Sequence, residues 1–108
     1  MKNITIAFDV DGTLISNTNG LGKEKLQLDT YNLMVLFSKM KNTRIIVWSG
    51  GGKDYAEQIV QKYGLTPYVE RCYSKQDYDE SIDGKVDIAF DDQHDFSLAD
   101  KNLIVRLK

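Results

Sequence analysis

Two short apolar runs rich in β-branched residues stand out, Ile4 to Phe8 and Arg44 to Trp48. Each stops abruptly at a polar residue, Asp9 and Ser49, and each reads as a buried strand. From Lys25 to Lys41, Leu26, Leu33, Met34, Phe37 and Met40 fall close to helical spacing. Asp54 to Tyr63 reads as a second helix, with Tyr55, Ile59, Val60 and Tyr63 on one side and Gly64 as its stop. Tyr68 to Tyr73 and Val86 to Phe90 read as third and fourth strands. The fourth ends in Asp91-Asp92, a short helical turn follows, and Leu103 to Leu107 reads as the last strand. Gly12 to Gly22, rich in Gly, Asn, Ser and Thr, reads as a loop. Buried strands alternating with helices predict a mostly parallel sheet with helices on both faces, and right-handed crossovers leave few topologies.

Composition narrows the class. The 108 residues fit one domain, 1–108, with no repeat and no linker. A formal charge of -2 gives no basic footprint, so strong nucleic-acid binding is not expected. Cys72 is the single cysteine, which rules out an intramolecular disulfide and fits a packed thiol in a reducing compartment. The apolar stretch before Asp9 is too short for a signal peptide. No stretch approaches the roughly eighteen apolar residues of a membrane span. The expectation is a cytoplasmic protein with no membrane partner.

The strand ends carry the chemistry. In open parallel sheets ligands sit beyond the carboxyl ends of the strands, near the switch in strand order. Here the first strand ends in Asp9 and Asp11, the second in Ser49 and Gly50 to Gly52, and the fourth in Asp91 and Asp92, while Lys75 follows the third. If these strands are neighbours, four carboxylates converge. Two carboxylates about 4 Å apart repel by roughly 1 kcal/mol in water and about 4 kcal/mol at an effective dielectric of 20. A hard divalent cation is the simplest compensation, and Mg2+ takes one or two carboxylates, waters and a substrate phosphate. Glycines at 12 and 50 to 52 would let backbone N–H groups approach that phosphate. The helix after the triple glycine would add its N-terminus.

The run Asp9-Val10-Asp11-Gly12-Thr13 after a buried strand resembles the first motif of the haloacid dehalogenase-like superfamily of phosphotransferases. Ile45-Ile46-Val47-Trp48-Ser49-Gly50 resembles the second motif, Lys75 the third, and Ile88-Ala89-Phe90-Asp91-Asp92 the fourth. The four come in the family's order and span essentially the whole chain. The resemblance implies a three-layer α/β/α sandwich around a Rossmann-like sheet. It also implies a Mg2+-dependent phosphomonoester hydrolase that works through an aspartyl-phosphate. Asp9 would be the nucleophile, Asp11 the acid and then the base, and Lys75 the charge neutraliser. Gly12, Thr13, Ser49, Gly50 and Gly51 would bind phosphate. Asp9, Asp11 (through its main-chain carbonyl), Asp91 and Asp92 would hold the metal. Lys85, six residues before Asp91, is the alternative lysine, and Asp95 the alternative second acid. Neither Leu14 to Thr43 nor Gly50 to Ser74 has room for a separate cap domain. An open site is therefore expected, for a phosphorylated substrate either macromolecular or small. A small one could be a nucleotide or sugar phosphate enclosed by a second copy in a homo-oligomer.

Blander readings exist for each residue. Taken singly, Asp9-x-Asp11-Gly12 is a turn or a calcium loop, Asp91-Asp92 a solvated turn, Ser49 with its glycines a tight loop, and Lys75 a surface lysine. Calcium is disfavoured because residues 14 to 20 supply no further carboxylate. His94, the single histidine, reads as a surface residue. A receiver-like phospho-acceptor module has similar residues, but its acidic pair ends the first strand and its acceptor the third. A catalytically silent binding member is the other alternative, although both Asp9 and Asp11 are retained.

Overall fold

The computed structural model describes residues 4–16, 24–91 and 101–104. The first apolar run forms β1 (Ile4–Asp9) and the second β2 (Thr43–Ser49). They pair in parallel, with Ile6 beside Ile45 and Asp9 beside Trp48. The connection carries α1 (Leu28–Ser38), and α2 (Lys53–Lys62) follows β2. Then come β3 (Arg71–Ser74), the one-turn helix α3 (Glu80–Asp83), β4 (Ile88–Asp91) and β5 (Lys101–Ile104). Among the described residues the five strands are all parallel, in the order β3-β2-β1-β4-β5. The architecture is therefore α/β, a parallel sheet flanked by helices. No helix among the described residues is long and apolar enough to cross a membrane.

Period-two alternation divides the core. On one face Ile6, Phe8, Ile45, Val47, Cys72 and Phe90 meet α1 through Met34 and α2 through Ala56, Ile59 and Val60. Phe8 stacks on Phe90 with ring centroids 4.9 Å apart, and Phe37 of α1 lies 5.8 Å from Phe90. On the other face Ala7, Ile46, Trp48 and Ala89 pack with Val86, and Tyr73 and Tyr78 close over them. Both long helices thus cover the same face. Among the described residues, the second face is covered by the crossover from Lys75 to Asp87, which contains only α3. Trp48 and Tyr78 meet edge to face at 5.3 Å there.

Several expected boundaries move, each for a local reason. The helix expected from Lys25 begins at Leu28 because residues 14–16 and 25–27 pair instead. Ser16 N–H donates to the Lys25 carbonyl at 2.8 Å and Gln27 N–H to the Leu14 carbonyl at 2.8 Å. The third strand starts at Arg71 rather than Tyr68, because Pro67 seeds a 3-10 turn over Thr66–Tyr68. The last strand runs Lys101–Ile104 rather than from Leu103; residues 105–108 lie outside the described residues. The turn expected after Asp92 also lies outside them. The one-turn helix α3 has no counterpart in the sequence expectation, although its cap was legible: Asp79 Oδ1 accepts from Ser81 N–H at 2.9 Å. Cys72 is buried, and that burial, with Glu57 adding to it, pushes its thiol up to about 11.

Gly64 ends α2 as its spacing implied. Its φ of 68° is left-handed, and Leu65 N–H then reaches back to the Val60 carbonyl at 2.8 Å. A Cβ there would meet nothing within 4 Å, so its cost is conformational rather than steric. Gly64→Ala is expected to lower unfolding free energy by about 1 kcal/mol in urea titration.

Candidate active site

Because every strand is parallel, the carboxyl ends of β1, β2, β3 and β4 share one edge. The strand order reverses direction at β1, so the crevice beyond Asp9 is where a ligand is expected. The register places Phe8 beside Phe90, which makes Asp9 and Asp91 neighbours on adjacent strands. Both follow the alternation onto the face of Ala7 and Ala89, the face covered by the Lys75 crossover. Both are nearly buried, 6% and 5% exposed.

Lys75 supplies the counter-charge. Its N–H donates to the Ser49 carbonyl at 2.9 Å, which fixes where the side chain starts. Its Nζ donates to Asp91 Oδ2 and lies 3.8 Å from Asp9 Oδ1. Only 7% of the residue is exposed, and the ammonium also sits 6.0 Å from the centre of the Trp48 ring. Of the two lysines weighed in the sequence, Lys75 is therefore the one at the aspartates. Lys85 is exposed and precedes β4, at the opposite edge of the sheet.

Ser49 ends β2 almost fully buried, 1% exposed. Its Oγ accepts the Gly51 N–H at 2.9 Å, which orients the hydroxyl and leaves its proton to donate. This changes the role expected for three backbone groups. Gly51 N–H is spent on Ser49. Gly12 N–H goes to the Ile15 carbonyl at 2.9 Å, and Thr13 N–H to the Val10 carbonyl at 3.3 Å. The Thr13 hydroxyl is itself buried. Gly12 and Thr13 therefore shape the turn after β1, with Gly12 at φ 80°, and their N–H groups are spent within it. Gly50 remains exposed at the mouth, its carbonyl held by Gln76 Nε2 at 3.1 Å.

Asp11 stands exposed on that turn. Tyr55 OH donates to its Oδ1 at 2.7 Å. Burial, with this hydrogen bond and the nearby acidic charge, holds the Tyr55 phenol well above its usual range, so it is the donor. Sequence reasoning placed Tyr55 on the apolar side of its helix and missed this contact. The available signal was its position one turn past the glycine run. Asp92, His94 and Asp95 lie outside the described residues.

The donor set can be tested against a metal. Formal charges of Asp9, Asp11 and Asp91 with Lys75 sum to -2, three negatives and one positive. A phosphomonoester adds close to two more negatives. Among the described residues no three acidic, His or Cys side chains gather in a metal-binding group. Two adjoining carboxylates, Asp9 and Asp91, fit Mg2+, which needs only one or two. They fall short of the six to eight oxygens typical of Ca2+.

Comparison of the chain with models of known protein families, with curated proteins and with solved structures found no match.

Proposed function

We propose that this chain is a Mg2+-dependent phosphomonoester hydrolase with an open site and Asp9 as its nucleophile. The observation that carries the reading is the triad of Asp9, Asp91 and Lys75 at the switch point. Two nearly buried carboxylates adjoin there, with one ammonium bonded to Asp91 and 3.8 Å from Asp9. Opposed charges so buried are retained where they serve chemistry more readily than where they serve stability. The resemblance in sequence to haloacid dehalogenase-like enzymes supports the same reading, as does the parallel sheet. The proposal includes that family's three-layer α/β/α core.

The chemistry follows from the residues. An Asp9 carboxylate oxygen attacks phosphorus, and the bond from phosphorus to the leaving oxygen breaks as the new one forms. Asp11 passes a proton to the leaving oxygen. Water then attacks the same phosphorus while Asp11 takes its proton. The acyl phosphate bond to Asp9 breaks, and inorganic phosphate departs. The Lys75 ammonium and the Ser49 hydroxyl stabilise the charge on the phosphoryl oxygens, where positioning and electrostatics do most of the work. The Asp9 carboxylate, the Asp11 main-chain carbonyl and Asp91 would hold Mg2+, and the ion supplies charge neutralisation when bound.

The test is phosphate release from a panel of nucleotides, sugar phosphates, phosphopeptides and end-phosphorylated oligonucleotides, with Mg2+ and with chelator. No Mg2+-dependent release from any of them would overturn the reading. Within it, Ser49→Ala should lower kcat by roughly 10²-fold, the usual cost of one donor to a developing charge. Steady-state kinetics check this, and an unchanged kcat would remove Ser49 from the phosphate site.

A further inference from the structure

We propose that Tyr55 is a positioning residue for Asp11, holding Oδ1 so that Oδ2 is presented to the oxygen that leaves phosphorus. The inference rests on the phosphohydrolase reading above. It assigns a role to a residue that none of the motif resemblances includes.

Three observations carry it. Asp11 is exposed on the turn after β1, and among the described residues Tyr55 OH, at 2.7 Å, is its one side-chain hydrogen bond. An unheld carboxylate on such a turn samples several rotamers, whereas proton transfer needs one geometry within hydrogen-bond reach. The hold is itself anchored. Tyr55 lies in the first turn of α2, and its ring is half-buried against the core shared by β1, β2 and α2. The ring also presses on the glycine loop: a Cβ on Gly51 would come within 3.0 Å of Tyr55 Cδ2 and 3.3 Å of Ser49 Oγ. The bareness of Gly51 thus lets one loop orient Ser49 and seat Tyr55 together. The contact ties the loop after β2 to the turn after β1 across 44 residues of sequence. A carboxylate with one oxygen pinned keeps the other for the proton it must give and later take.

The experiment compares kcat/KM for an aryl ester, 4-nitrophenyl phosphate, with that for an alkyl ester, glycerol phosphate. The aryl oxygen leaves without a proton, whereas the alkyl oxygen needs one. Because kcat/KM reports the steps up to phosphoryl transfer, it isolates the acid role of Asp11 from its later role as base. Asp11→Asn should lose roughly 10²-fold or more on the alkyl ester and far less on the aryl ester. Tyr55→Phe, which keeps the ring and its packing, should show the same selectivity in weaker form. A loss of roughly tenfold is expected on the alkyl ester and less than about twofold on the aryl ester, with KM unchanged. No loss, or an equal loss on both esters, would overturn the positioning role while Asp11→Asn still discriminated between them. Failure of the wild-type protein to hydrolyse these esters and every member of the panel above would instead overturn the phosphohydrolase reading, and this inference with it.

Discussion

Replacing Asp9 by Asn is expected to reduce phosphomonoester turnover by on the order of 10⁴-fold or more, because the reaction loses its attacking anion. The change is nearly isosteric, so the packing around residue 9, only 6% exposed at the end of β1, is kept. Lys75 keeps its bond to Asp91, so no buried ammonium is stranded. The fold should therefore survive, with a melting temperature close to that of the wild type. Loss of activity without loss of structure separates a chemical role from a structural one. A second readout is independent of steady-state rate. Wild-type protein quenched in acid during turnover should carry phosphate that hydroxylamine releases, and the Asn variant should carry none. Turnover within tenfold of wild type would mean that some other group attacks.

The parts of this site that were legible in sequence are those carried by strand ends. An apolar run that stops at an acid or a serine announces both a buried strand and the residue at its edge. That is why Asp9, Ser49 and Asp91 were found together with β1, β2 and β4. The pairing of Asp9 with Asp91 followed only once the strand order was known, since the register of β1 on β4 makes them neighbours. The backbone donors were harder to assign. A glycine run suggests amides aimed at a phosphate, yet Gly12 and Gly51 spend their N–H groups on Ile15 and Ser49. Whether an amide points outward depends on ψ at each step, which residue type does not set when the residue is glycine. Tyr55 was hidden for another reason. At helical spacing with Ile59 it reads as core, and half of it is core. Its hydroxyl finds Asp11 only because α2 packs beside the β1 turn. Lys75 and Lys85 looked alike as neighbours of strands, and it is the parallel direction of β4 that sends Lys85 to the far edge.

Among the described residues the second face is closed by the crossover alone, so Lys75, which that crossover carries, is expected to be sensitive to substitution. The crossover brings the ammonium in from the side of Trp48, and its backbone is tied to Ser49 at 2.9 Å. Lys75→Met fills a similar volume but removes the ammonium bonded to Asp91 and 3.8 Å from Asp9, both nearly buried. Breaking a buried ion pair on one side costs about 3–5 kcal/mol, much more than the pair contributes over an apolar replacement. Urea denaturation should show a loss of that order, a large share of the total stability of a small domain. Removing one of the stranded charges should recover part of it, so Lys75→Met with Asp91→Asn is expected to be more stable than Lys75→Met alone. The double-mutant cycle then gives the coupling between the two positions. A Lys75→Met protein as stable as wild type would show that the ammonium is dispensable to the fold. Additive losses in the cycle would show that its contact with Asp91 carries no energy.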